Sequence, residues 1–258
     1  MKTGLRRLLR KFLRTLGVEL VPGYRLTSLE LIRFRRHLLG EAAPLRLYGR
    51  WRQLMGGLVS AKEFYEAGLD NLHETYPGKV DRQIVVMQAL RNMNGLEGAV
   101  VELGTYQGHT AVQLAQTMRS IGDTSPLYLF DSFQGLPESE GTWNQGDLRA
   151  DLNAILRRFQ RFENVTIVPG YFADTLPEYS DVQVKLAHVD ADLYSSTKDA
   201  NSWLLDRVTC GGVVIYDDYG FPNTEGVKQA VDEDFTGRCD YHQYYLPTGQ
   251  LLAIRCST

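Results

Sequence analysis

The residues best placed to do chemistry are four aspartates in two short strings. Asp190 and Asp192 lie in HVDADLYSST (His188–Thr197), and Asp217 and Asp218 in VIYDDYG (Val214–Gly220). Each pair closes an apolar run of strand length, so neighbouring parallel strands would deliver all four carboxylates to one edge of a sheet. Carboxylates gathered in one cleft raise one another's pKa unless a cation or a proton intervenes. A hard, oxygen-seeking cation such as Mg²⁺ suits this donor set, with water and substrate oxygens completing its octahedron. Zinc suits it poorly, because no cysteine or histidine cluster accompanies the acids. The competing reading makes them turn formers and helix caps, with Asp192 and Ser195–Ser196 capping the helix that follows.

A second string, VVELGTYQG (Val100–Gly108), ends a strand-like run in a glycine turn ahead of a helix-like stretch. Its spacing is Gly-x-x-x-Gly, so the dinucleotide fingerprint Gly-x-Gly-x-x-Gly is absent. Gly104 and Gly108 would let the backbone approach a ligand closely, or simply make a tight strand–helix turn. Glu102 beside that turn suits a cationic ligand better than a pyrophosphate. The sulfonium and amino group of S-adenosylmethionine are cationic. Asp131 closes the next apolar run, where an acid can accept hydrogen bonds from both ribose hydroxyls. The alternative is a turn or capping aspartate in Asp131–Ser132.

These residues need a scaffold, and the apolar pattern supplies one. Ala99–Leu103, Leu127–Phe130, Val165–Val168, Val184–Val189 and Val213–Tyr216 are five short apolar runs separated by helix-length segments. Strands alternating with helices predict a parallel sheet covered on both faces. Tyr241–Leu246 and Gln250–Arg255 flank Pro247–Gly249 and read as an antiparallel hairpin. The expected fold is α/β: a Rossmann-like class I methyltransferase sheet of seven strands, mostly parallel, with a C-terminal antiparallel hairpin and a helical N-terminal extension. A length of 258 residues suits one large domain with an appended segment. The boundary is expected between residues 78 and 79, with the methyltransferase domain over 79–258.

The first fifty residues carry twelve Lys/Arg against three Asp/Glu, although the chain's net charge is −3. Leu5, Leu8, Leu9, Phe12, Leu13 and Leu16 recur at helical spacing, with Arg6, Arg7, Arg10, Lys11 and Arg14 opposite and Gly17 as a stop. Such a basic amphipathic helix could lie on an anionic membrane as a peripheral contact, or pack on its own domain or a sister subunit. The catalytic part is acidic, so nucleic acid is not an expected partner. Cys210, Cys239 and Cys256 are odd in number and lack metal-ligand spacing, which suggests a reducing, cytoplasmic setting. No apolar run reaches the length of a membrane-spanning helix, and the basic start lacks the apolar core of a secretory signal.

VVELGTYQG, LYLFDSFQGLPE (Leu127–Glu138), VPGYFADTLPE (Val168–Glu178), HVDADLYSST and GGVVIYDDYG (Gly211–Gly220) together resemble the macrocin O-methyltransferase family, in order across roughly residues 80–235. Those enzymes methylate sugar hydroxyls of macrolides and related glycosides, using S-adenosylmethionine and Mg²⁺. The resemblance implies Asp190, Asp217 and Asp218 as metal ligands. It implies a cofactor site made of Glu102, Gly104, Thr105, Tyr106, Gly108, Thr110, Asp131, Ser132, Gly170, Tyr171, Phe172 and Asp190. It also implies an N-terminal region that helps cover the site and form a homo-oligomer.

The related catechol-type enzymes place a lysine three residues after the first metal aspartate and end strand five with Asp-Asn. Here Leu193 and Asp218 stand at those positions, which excludes a lysine base of that kind. Asp192, His188 or a metal-bound carboxylate such as Asp190 is left to take the proton. His188 has a second reading as a satisfied core residue. Ser139–Asp151 (SEGTWNQGDLRAD) reads as a lid carrying Trp143 against the sugar, or as a solvated connection. The expected activity is O-methylation of a sugar hydroxyl in a glycosylated natural product or polysaccharide. Methylation of a catechol-like diol, a nicotinamide-dependent oxidoreductase, and a non-enzymatic docking module are the alternatives. The missing dinucleotide fingerprint counts against the oxidoreductase.

Overall fold

The computed structural model describes residues 80–256, of which Val85 onward belongs to one compact unit. The basic helix expected over Leu5–Gly17, and the helical reading of the segment that follows it up to residue 79, lie outside the described residues.

After helix α1 (Val80–Asn92), the chain alternates strands and helices. It forms β1 (Ala99–Leu103), α2 (His109–Ile121), β2 (Leu127–Asp131), α3 (Leu152–Phe159) and β3 (Val165–Pro169). A short α4 (Phe172–Thr175) and a 3-10 turn lead to β4 (Val184–Val189), α5 (Tyr194–Leu204), β5 (Val208–Tyr216) and α6 (Glu225–Phe235). The hairpin β6 (Tyr241–Tyr245) and β7 (Leu251–Arg255) closes the unit. The seven strands lie in the order β3-β2-β1-β4-β5-β7-β6. The first five are parallel, and β7 inserts antiparallel between β5 and β6. The order reverses between β1 and β4, which makes the carboxyl ends of these two strands the ligand crevice.

Both faces of the sheet are buried, so its central strands read as continuous apolar runs rather than alternating ones. Val100, Leu129, Leu186 and Ile215 pack with Leu90, Leu114, Met118 and Phe159 on one face. Val101, Phe130, Ala187, Val214 and Tyr216 pack with Trp203, Leu204, Val231 and Phe235 on the other. At the amino end of β4, Lys185 is buried with its Nζ 2.8 Å from Asp123 Oδ2 and 2.7 Å from Ser125 Oγ. That pair holds the edge remote from the crevice.

One strand departs from expectation. β5 begins at Val208 rather than Val213, because Val184 pairs with Val208 and Leu186 with Val213. The residues between bulge out of the ladder. Gly211 takes a φ of +83°, so the glycine pair is the bulge itself and not a break before the strand. The hairpin forms as expected. Gly249, at φ +87°, donates to Leu246 O, and Leu246 N–H donates to Gln250 O. No helix among the described residues is long and apolar enough to cross a membrane.

Candidate active site

Strand register builds the site. Glu102 lies opposite His188 in the β1–β4 ladder, and His188 opposite Ile215 in the β4–β5 ladder. Side chains alternate along a strand, so Glu102, His188 and Asp217, two residues beyond Ile215, share one face. The result is a buried polar row. His188 Nδ1 is 3.1 Å from Glu102 Oε1, and its Nε2 is 3.4 Å from Asp217 Oδ1. Gln250 Nε2, arriving from the hairpin, donates to Asp217 Oδ1 at 2.8 Å. All four residues are buried.

Burial alone would push the His188 pKa down. The hydrogen bonds and charges of Asp217 and Glu102 outweigh it and raise the imidazole to about 10. At neutral pH the ring is a cation donating from both nitrogens, which leaves it no lone pair for a substrate proton. The geometry therefore argues against His188 as general base. It braces the two acids instead. Neither partner was visible locally in the sequence, since Glu102 stands 86 residues away and Gln250 33 residues from Asp217.

The aspartates converge beyond this row. Asp190 N–H donates to Leu103 O and Asp217 N–H to Val189 O, each at 2.8 Å, so the strand ends are locked side by side. His188, Asp190 and Asp217 offer ligand atoms within 4.8 Å of one another, and so do Asp190, Asp192 and Asp218. Asp190 belongs to both groups. The four acids named from the sequence are thus brought together, and oxygen donors dominate as a hard cation requires. Asp192 has a φ of +59° and sits at the centre of a tight turn in which Leu193 N–H donates to Ala191 O at 2.7 Å. This is the rarer, strained hand of γ-turn. Asp192 is not the cap of α5: Leu193 holds that position and gives no side-chain acceptor.

The other half of the crevice surrounds Asp131. Its Oδ2 accepts from Tyr106 N–H at 2.7 Å and its Oδ1 from Phe133 N–H at 2.6 Å. Both donors are non-glycine residues in the left-handed region, at φ +48° and +54°. Asp131, which also takes a backbone hydrogen bond from Thr105, therefore does the work of a turn aspartate, while the carboxylate still has a lone-pair site left for a ligand hydroxyl. Burial raises its pKa against those backbone bonds, and the charge of Asp190 adds to the rise. Burial also raises Glu102, against His188 and with Asp190 again adding. Glu102 Oε2 is buried without a hydrogen-bond partner. Negative charge is thus in excess around Asp190, as a cationic ligand would need.

The remaining residues of the expected cofactor site line the same edge. Gly104 (φ +97°) leaves no room for a Cβ, which would lie 1.9 Å from Asp190 O, so the neighbouring strand end by itself demands this glycine. Gly108 opens α2 at φ +74°. Thr105 and Thr110 are buried beside it. Ser132 Oγ donates to Gly135 O, and Gly170 N–H donates to Asp131 O. Tyr171 and Phe172 open α4, where Phe172 packs on the core.

The strand order, the antiparallel β7 and the acids at the ends of β1, β2, β4 and β5 define a class I methyltransferase. Such a fold implies S-adenosylmethionine as its methyl donor. More narrowly, the chain belongs to the macrocin O-methyltransferase (TylF) family, whose profile matches residues 80–238, and it is an O-methyltransferase. It is 32% identical over 215 residues to the 8-demethyl-8-(2,3-dimethoxy-alpha-L-rhamnosyl)-tetracenomycin-C 4'-O-methyltransferase of Streptomyces olivaceus, covering 77% of this chain and 74% of that protein. It is 26% identical to the mycinamicin III 3''-O-methyltransferase of Micromonospora griseorubida, over 69% of this chain and 79% of that one. The solved structure of the O-methyltransferase NovP superposes with a TM-score of 0.61 at 25% identity, covering 70% of this chain and 82% of that one.

Proposed function

We propose that the protein methylates a hydroxyl of a sugar carried by a glycosylated natural product or polysaccharide, with Asp190, Asp217 and Asp218 holding Mg²⁺. The observation that carries the metal reading is the sharing of Asp190 between two groups of closely spaced ligand atoms. A divalent cation there supplies Lewis acidity, lowering the pKa of an acceptor hydroxyl. S-adenosylmethionine supplies the methyl group as an electrophilic sulfonium. The sugar reading is supported by the Streptomyces olivaceus relative, an O-methyltransferase of a rhamnosyl-bearing tetracenomycin.

The chain's own residues do the rest. Glu102 and Asp190 provide negative charge for the cationic end of the cofactor, and Asp131 accepts from its ribose. Asp192, which lies outside the proposed ligand set but within 4.8 Å of Asp190 and Asp218 donor atoms, takes the hydroxyl proton. Orientation contributes about 7–11 kcal/mol and a general base about 10²–10⁴-fold, so holding the reactants in line matters more than the base.

Calorimetric titration with S-adenosylhomocysteine, with and without Mg²⁺, tests the cofactor half. Wild type should bind with little dependence on Mg²⁺. Asp131→Ala should weaken binding by about 10–100-fold, the value of one or two hydrogen bonds to a charged acceptor. Absence of binding in wild type would remove the cofactor reading. Transfer to rhamnosylated glycosides, abolished by EDTA and restored by Mg²⁺, tests the acceptor half.

A further inference from the structure

We propose that Glu140 is a positioning residue that latches the β2–α3 loop onto the helices beside the aspartate cluster and so sets the acceptor side of the site; the acceptor part rests on the function proposed above. The loop begins at Asp131 and is a compact, self-bonded unit. Leu136 N–H donates to Asp147 O at 2.8 Å, Gly146 N–H to Leu136 O at 3.0 Å and Gln145 N–H to Ser139 Oγ at 2.9 Å. At its tip Glu140 and Trp143 exchange both backbone hydrogen bonds, at 3.2 and 2.9 Å. Among the described residues, the hydrogen bonds that tie residues 134–147 to another element all come from the Glu140 carboxylate.

That carboxylate sits at the start of α5. Its Oε1 and Oε2 accept from Tyr194 N–H at 3.2 and 3.0 Å. The first N–H groups of a helix need acceptors and favour negative charge. Leu193 cannot serve, so Glu140 caps the helix from a distant loop. Tyr194 is two residues beyond Asp192, which places the loop tip on the segment carrying the acids.

A second, independent observation comes from α6. Gly226 stands in its first turn, where glycine is a poor helix former. Its backbone has no positive φ to require glycine. What requires it is first Glu140 and then the start of α5: a Cβ on residue 226 would lie 2.0 Å from Glu140 Oε1 and 2.9 Å from Tyr194 Cβ. The gap left by the missing side chain is the seat of the carboxylate.

The test is a double-mutant cycle. Glu140→Ala and Gly226→Ala each should raise the acceptor KM about tenfold, the size of effect expected from slight misplacement of a substrate-positioning element. Each should leave S-adenosylhomocysteine affinity within about twofold. The double variant should lose clearly less than the product of the two single losses, because removing the carboxylate clears the closer clash and leaves only the tight approach to Tyr194 Cβ at 2.9 Å. Glu140→Gln, which keeps one acceptor oxygen, should recover most of the loss. Hydrogen exchange of the peptide spanning residues 136–147 should accelerate in both single variants with the rest of the sheet unchanged. Multiplicative effects in the double variant, or unchanged exchange in Glu140→Ala, would overturn the latch. Faster exchange without any sugar methylation by wild type would leave the latch standing and remove the proposed acceptor.

Discussion

Asp218→Asn is expected to lower kcat by about 10²–10³-fold, the usual price of losing one electrostatic contact made at the reacting atoms. S-adenosylhomocysteine binding should stay within about twofold of wild type, because the proposed cofactor acids Glu102, Asp131 and Asp190 sit at the ends of β1, β2 and β4 and not at the end of β5. Asp218 is the cleanest of the proposed ligands to change. Asp190 is shared by both acid groups and its charge raises the pKa of Glu102 and of Asp131, so its removal would disturb cofactor and metal together. Asp217 also holds His188 and Gln250. The measurement is turnover against Mg²⁺ concentration. The variant should need more Mg²⁺ and remain slow at saturation. Wild-type turnover by Asp218→Asn in EDTA would end the metal assignment.

The second large effect belongs to His188. Removing it by His188→Gln leaves Glu102 and Asp217 facing each other across a buried row, and breaking a buried ionic contact in this way costs about 3–5 kcal/mol. The loss has a pH signature. The imidazole pKa is raised from 6.5 to about 10 in the fold. Between those values the folded state binds a proton that the unfolded state has released. Stability from His188 is therefore complete below about pH 6.5 and is lost as pH rises through about 10. Urea midpoints measured from pH 6 to 10 should fall for wild type and change less for His188→Gln, the difference between the two isolating this group. Parallel curves would show that the ring is neutral in the fold and would reopen it as a proton acceptor.

The acids were legible in the sequence because each closes a run of buried residues. β1 and β4 begin and end where the apolar runs do, since both faces of the sheet are covered. β5 was legible only in its second half: its first residues are separated from the rest by a bulge whose glycines look like a chain break. What the acids do was harder to read. Asp131 announces itself at a strand end, but its backbone donors Thr105, Tyr106 and Phe133 become visible only when the β1 and β2 turns meet. Gly104 was read as room for a ligand or as a tight turn, and its contact with the Asp190 carbonyl, contributed by a strand 86 residues further on, was not legible. Glu140 lay inside a string that read as a lid or as a solvated connection and gave no sign of its role, because its partners Tyr194 and Gly226 come from two helices far along the chain. Local pattern locates strand ends; register and loop docking decide which groups meet there.

The hairpin has a consequence for synthesis. Gln250 completes the polar row around Asp217, and β7 pairs directly with β5, while β6, made earlier, waits at the outer position. As the chain leaves the ribosome, β5 therefore keeps an open edge until residues 251–255 have emerged. Until then Asp217 lacks its amide donor from Gln250. The acids of the crevice are encoded well upstream, but the row that holds them can be finished only after Gln250 has appeared, so a nascent chain cannot possess the assembled site before β7 has docked.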